Sequence, residues 1–310
     1  MSNDFVETIA QGIESMEIRG AGKIARNAAK ALLHFAENYS GSDFKKDVKE
    51  IADRLLATRP TAVSLYNGVA FSLKGLDFTG SQEEAREIVR KNSSFFVKKS
   101  EEAVEKLVEI TANRIPDGSC VLTHCNSTAA VKSIIRAYEL GKIEMAYCTE
   151  SRPRRQGWIT APQLAEAGVP VTMIVDSAAR FLMPRIDMVV VGADTIASNG
   201  AVVNKIGTSQ ISLVAHESRV PVTVCAESYK FSPLTLFGER VKIEEREVEE
   251  IADPRDFPGV RFYNPVFDFT PPEYVDAIVT EFGVMSPYTA YELIVREFSG
   301  EALFAKEEVK

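Results

Sequence analysis

Five apolar runs in the second half of the chain end on polar, ionisable tips: His124 to Thr128, Thr149 to Pro153, Asp176-Ser177, Gly192 to Thr195 and Ala226 to Lys230. In an open parallel sheet, ligands bind in the crevice beyond the carboxyl ends of the strands, so chemistry would converge at such tips. The same residue types also make turns and helix caps, the ordinary reading of any one tip. Cys125 stands one residue ahead of Asn126-Ser127-Thr128, a capping sequence for a helix through Ala129 to Tyr138. A sulfur beside a positive helix terminus is biased towards thiolate. His124 is adjacent, but consecutive strand residues face opposite ways, so it is expected to pack or cap rather than pair with the thiol. Cys120, Cys148 and Cys225 lie inside apolar runs and read as buried filler.

Asp194 follows the run Met188 to Gly192. A two-residue type I′ turn at Asn199-Gly200 would pair Thr195 with Asn204 and Asp194 with Lys205. A neighbouring lysine lowers an Asp pKa, so proton donation by Asp194 at neutral pH requires desolvation or a dianion on the ligand. The segment Arg19-Gly20-Ala21-Gly22-Lys23 opens a helical stretch whose free N–H groups, with the Arg19 guanidinium, suit a phosphate. It is not a P-loop, because Glu17 occupies the first Gly position and Ile24 replaces Ser/Thr, and it lacks the strand and third glycine of a dinucleotide fingerprint. Arg152, Arg154 and Arg155 form a basic cluster of the kind that is usually solvated or paired, and no Cys/His spacing fits a metal site.

The elements that must position these groups fall into two parts, 1–115 and 116–310. Up to about residue 110, apolar residues recur at helical spacing in Ile24, Ala28, Ala31, Leu32 and Phe35, and again in Val48, Ile51, Leu55 and Leu56. Beyond residue 118 come short β-branched runs, Cys120 to Thr123, Ile143 to Cys148, Val169 to Val175, Met188 to Val191 and Val220 to Cys225, mostly separated by helix-length stretches. That alternation predicts a parallel α/β sheet, from which the Asn199-Gly200 hairpin would project. The charged end, Glu301 to Lys310, is expected to fray.

With 310 residues, 45% hydrophobic and 26% charged, the chain can bury a core. Its net charge of -8 disfavours nucleic acid, and the four cysteines lack disulfide-framework spacing. The start MSNDFVETIA has no basic region ahead of an apolar stretch, and no run approaches the ~18 apolar residues of a membrane span. The expected address is the cytoplasm.

Arg19-Gly-Ala-Gly22, Thr123-His-Cys-Asn-Ser127, Glu150-Ser-Arg-Pro153 with Gln156-Gly157, Gly192-Ala-Asp-Thr-Ile196 with Asn199-Gly200, Asn204-Lys-Ile-Gly-Thr208 and Ala226-Glu-Ser-Tyr-Lys-Phe-Ser232 together resemble one superfamily. It holds methylthioribose-1-phosphate isomerase, archaeal-type ribose-1,5-bisphosphate isomerase and the regulatory subunits of the translation initiation exchange factor. The resemblance implies a helical N-terminal domain followed by a Rossmann-like catalytic domain, with Cys125 and Asp194 as the catalytic pair. It assigns Arg19, Gly20, Ala21, Gly22, Arg59, Gln156, Asn204, Lys205 and Lys230 to substrate binding. Methylthioribose-1-phosphate isomerases read RGAPAIG in the first loop and are Ser/Thr-rich after the late strand. Gly22-Lys23 and Glu227 to Phe231 depart from both, and Lys230 supplies a cation for a second phosphate. The implied reaction is ribose 1,5-bisphosphate to ribulose 1,5-bisphosphate in nucleotide salvage, with AMP as activator and no metal or nicotinamide required. A homo-oligomer is also implied, a dimer or a hexamer built as a trimer of dimers. The alternatives are an initiation-factor-like subunit without catalysis and methylthioribose-1-phosphate isomerase.

Overall fold

The computed structural model describes residues 2–298; the tail expected to fray, 301–310, lies outside the described residues. Five helices come first: α1 (Ser2–Glu14), α2 (Ala21–Glu37), α3 (Phe44–Thr58), α4 (Val63–Leu73) and α5 (Gln82–Arg114). The helical-period residues of the sequence do the packing, with Ile24, Ala28, Ala31, Leu32, Phe35, Val48 and Leu55 in one buried cluster. Asp43 caps α3 by accepting from the Lys46 N–H, and Ser81 with Glu84 closes a capping box at the start of α5. The far end of α5 leaves this cluster. Its Leu107 and Ala112 join a second core beneath the sheet, so one 33-residue helix ties both parts together.

The α/β part runs β1 (Ser119–Thr123), α6 (Thr128–Glu139), β2 (Ile143–Thr149), α7 (Gly157–Glu166), β3 (Val171–Ile174), α8 (Ala179–Leu182), β4 (Met188–Gly192), β5 (Thr195–Ile196), β6 (Val202–Lys205), α9 (Thr208–Glu217) and β7 (Val222–Cys225). It closes with β8 (Phe267–Thr270), β9 (Ala277–Thr280), β10 (Gly283–Met285) and α10 (Ala290–Phe298). The main sheet has the order β10-β9-β7-β4-β1-β2-β3, parallel except for the antiparallel edge strand β10. Alternate residues feed two faces: Leu122, Val189 and Val191 go to one core, Val121, Met188 and Val190 to the other. Strand order reverses between β1 and β4, which makes the crevice at their carboxyl ends the switch point of the sheet. Among the described residues no helix is long and apolar enough to cross a membrane.

The five predicted strand runs are all present, whereas β8, β9 and β10 are only three or four residues long and carry little periodic signal. The hairpin departs from its predicted register. Thr195 faces Val203 and Ile196 faces Val202. The connection is a three-residue loop, closed by the Ala197 N–H on the Ala201 carbonyl, with Gly200 in the left-handed region at φ 83. A turn followed by a left-handed glycine shifts the pairing by one residue relative to a two-residue turn. Nor does the hairpin project, since β6 pairs with β8 in a second sheet, β5-β6-β8, and is buried.

A Cβ on Gly200 would sit 2.2 Å from the Pro287 carbonyl oxygen, in a backbone conformation that side chains rarely adopt. Gly200→Ala is therefore expected to lower unfolding stability by about 2–4 kcal/mol, read as a fall in denaturation midpoint. A loss below about 0.5 kcal/mol would mean the loop relaxes freely.

Candidate active site

Cys125 follows β1 and Asp194 follows β4, so the two flank the switch point, and both line one cavity of about 200 Å³ between the helical and α/β parts. Every residue proposed from the sequence lines the same cavity: Arg19, Gly20, Ala21, Gly22, Arg59, Gln156, Asn204, Lys205 and Lys230 join the pair.

The loop carrying Cys125 is held from below by its neighbours. Asp176 accepts from the Ser151 and Arg152 N–H groups, Ser151 Oγ accepts from the Cys125 N–H at 2.7 Å, and the Cys125 carbonyl accepts from Thr160 Oγ1. Cys125 itself takes φ 69, an uncommon left-handed conformation for a non-glycine residue that turns its side chain out of the strand direction. His124 faces the other way, as expected. It is buried, with Nε2 donating to the Ile206 carbonyl and Nδ1 bonded to Thr149 Oγ1, and burial lowers its pKa, so it is a neutral structural residue. Ser127 caps α6 by accepting from the Ala130 N–H, and Gly192 lets β4 pass so close that a Cβ there would be 2.3 Å from Ser127 Oγ. That contact sets the spacing of the two strand tips.

The thiolate expected at Cys125 is not its resting form. Burial pushes the thiol up to about 11, outweighing the pull of Lys205, while Asp194 pushes the same way. One helix terminus does not offset that desolvation. Burial likewise lowers the pKa of Lys205, which stacks its ammonium 5.2 Å from the Phe267 ring centre. Asp194 lies a residue out of the predicted pairing with Lys205, its N–H donating to Val203, yet the two still interact across the cavity.

The cations form two groups. In the first, Lys230 makes a buried ion pair with Glu227 at 2.6 Å, and Tyr229 Oη donates to the same carboxyl group. Gly22 packs against this group, since a Cβ there would be 2.7 Å from Tyr229 Oη and 3.4 Å from Arg26 Nη1. In the second, Glu244 bridges Arg59 and Arg246, each at 2.8 Å. The start of α2, at Gly20 to Lys23, has no side-chain cap, which leaves its first-turn N–H groups for an anion. Arg152, Arg154 and Arg155 stay outside the cavity, contacting the Ile251 carbonyl, Glu250 and the Trp158 ring respectively.

Sequence reasoning missed Lys23, Arg26, Glu227 and Arg246, all of which line the cavity. Lys23 and Arg26 are legible as the i, i+3 continuation of the Gly-rich loop along one helix face. Arg246 stands in a stretch of irregular chain with no periodic signal.

This arrangement defines an α/β protein with a cation-lined cleft at its switch point. The model of the Initiation factor 2 subunit family matches residues 17–287, and the chain belongs to that family. It is similar to a protein named ribose 1,5-bisphosphate isomerase from Archaeoglobus fulgidus, with 50% identity over 97% of this chain and 95% of the relative. A protein named methylthioribose-1-phosphate isomerase from Desulforamulus reducens is 34% identical over 92% of this chain and 88% of its own length. Among solved structures, the Pyrococcus horikoshii translation initiation factor eIF-2B superposes with TM-score 0.79 and 32% identity, covering 91% of this chain and 97% of that one.

Gly192→Ala is expected to push the β4 tip off the cap of α6 and to cost about 2–4 kcal/mol in stability, measured by chemical denaturation. Restoration by Ser127→Gly in the double variant would identify the clash as the cause, and an unchanged deficit would refute it.

Proposed function

We propose that the chain is an aldose-ketose isomerase converting ribose 1,5-bisphosphate into ribulose 1,5-bisphosphate. The observation that carries this reading is that Cys125 and Asp194 flank one switch point, in a cavity with two separate groups of cations. A sugar with one phosphate and an apolar substituent would leave one cationic group unmatched, which disfavours the methylthioribose substrate. The 50% identity to the archaeal relative supports the same branch.

The phosphate on C1 locks the substrate as a ring, so opening needs a proton on the ring oxygen as the C1–O bond breaks. Asp194 gives that proton. Cys125 takes the proton from C2 and the electron pair forms the C1–C2 double bond of an enediol phosphate; the thiol then returns a proton to C1 while the C2 hydroxyl gives its proton to the Asp194 carboxylate, which leaves the C2 carbonyl of the ketose and restores both groups. The Gly20 to Gly22 turn, Arg19 and Arg59 hold phosphate and sugar oxygens, Asn204 and Lys205 hold sugar oxygens and a phosphate, Lys230 holds the other phosphate, and Gln156 supports the sugar. With the resting thiol at about 11 even with Lys205 beside it, placing a thiolate there at pH 7 costs about 5 kcal/mol.

The reading extends to nucleotide salvage, with AMP as activator, and to a cytoplasmic homo-oligomer, a dimer or a trimer of dimers. Supporting the last are the four free thiols and the exposed apolar side chains Met173, Val175 and Phe181 along the β3 edge of the sheet.

Purified protein is expected to turn over ribose 1,5-bisphosphate, faster with AMP, and not 5-methylthioribose 1-phosphate. Cys125→Ser and Asp194→Asn should each lower kcat by about 10²–10⁴-fold with KM nearly unchanged. A near-native rate in either variant removes that residue from the mechanism, and no turnover of either sugar leaves a binding subunit. In deuterated water, proton transfer through the thiol places deuterium at C1. Product free of deuterium would establish a hydride shift from C2 to C1, with Cys125 only polarising the site.

A further inference from the structure

The Lys230 turn belongs to the α/β part, and the helical part also holds its backbone. Asn67, on α4, is buried, and its side-chain amide donates to the carbonyls of both Tyr229 and Phe231, each at 2.8 Å. These are the carbonyls of the residues on either side of Lys230. An amide nitrogen has two N–H bonds, so this one side chain spends both on bracketing a single residue. The turn is otherwise short: a three-residue 3-10 segment, Ser228–Lys230, with the Lys230 N–H on the Glu227 carbonyl. From there Lys230 reaches its ion pair with Glu227 and the cavity. Around it, Tyr229 packs edge-on against Phe96 of α5 at 5.5 Å, in a small cluster with Ala25 and Ala29 of α2. The apolar contacts anchor Tyr229, Glu281 accepts from the Ser228 N–H and hydroxyl, and the Ser232 N–H donates to the Ile196 carbonyl; the Asn67 amide adds, from the helical part, the hydrogen bonds to the two carbonyls that flank Lys230.

We infer that Asn67 is a positioning residue: it aims Lys230 at the second phosphate, and the helical part thereby sets the preference for a bisphosphate over a monophosphate. This rests on the reading of Lys230 as a phosphate ligand. A purely structural Asn67 would stabilise the junction and affect every ligand alike. A positioning Asn67 acts through Lys230 and has nothing left to position once that ammonium is removed.

The test is a double-mutant cycle on the full chain, with binding of ribulose 1,5-bisphosphate and of ribose 5-phosphate measured by calorimetry and thermal unfolding recorded alongside. Lys230→Ala is expected to weaken the bisphosphate about 10- to 100-fold and the monophosphate severalfold less. Asn67→Ala should weaken the bisphosphate about 10-fold in the native background and less than about twofold in the Lys230→Ala background. Asn67→Asp keeps the volume but replaces the donor by an acceptor facing two carbonyls, and should give the same non-additive pattern if the alanine variant does not fold. Equal losses in both backgrounds, or equal losses for the two ligands, overturn the positioning role while leaving the phosphate assignment intact. A bisphosphate affinity insensitive to Lys230→Ala, or absent in the native protein, overturns that assignment and this inference with it.

Discussion

Like charges held together in a cleft with few opposing groups repel one another, and most of the site can be understood as a response to that repulsion. Two unit charges about 4 Å apart interact by about 4 kcal/mol at the effective dielectric of a protein surface. Seven cationic side chains among the described residues line the cavity, against the carboxylates of Asp194 and Glu227 in its wall. Glu244 stands behind, between Arg59 and Arg246. Glu227 and Glu244 each neutralise part of one group, so the unliganded protein tolerates the crowding. Arg19, Lys23 and Arg26 have no carboxylate partner among the described residues, and Arg26 Nη1 is buried without a hydrogen bond. A buried donor left unpaired is costly. The residual positive charge matches a ligand carrying two phosphates better than one.

The division of labour between the two parts follows from the same balance. Charges on one rigid element would repel permanently. Here Arg19, Lys23, Arg26 and Arg59 come from the helical part, and Lys205, Lys230 and Arg246 from the α/β part. The 33-residue α5 and the Asn67 amide join the two parts across the cavity.

Much of this was legible in the sequence because its causes are local. Helical spacing placed Ile24, Leu32 and Phe35 in the core, β-branched runs located the parallel strands, and polar residues directly after those runs located the tips that meet in the cavity. What depends on tertiary approach was not legible. The hairpin register turned on a three-residue loop ending at Gly200, and the Pro287 carbonyl that leaves no room for a side chain there is a contact no turn rule contains. Arg246 and Glu244 lie in irregular chain, and Asn67 sits within a helix where its neighbours indicate only burial. The thiolate expected at Cys125 failed for a related reason: the helix terminus is a sequence feature, whereas the desolvation that dominates comes from the surrounding fold.

A neutral resting thiol is also consistent with the charge balance. A permanent thiolate would stand beside Asp194 and place a second anion where the ligand's own negative charge must come, weakening the binding that the cations provide. It would also be the form most open to oxidation. Burial keeps the Cys125 thiol protonated, and the nearby Lys205, itself inclined by burial to lose its proton, is the cation that pulls the other way. The same desolvation that suppresses the base at rest strengthens every interaction between charges once the cavity is filled and water is displaced. A raised thiol pKa and stronger charge–charge interactions are thus two consequences of one property of the cavity, its burial.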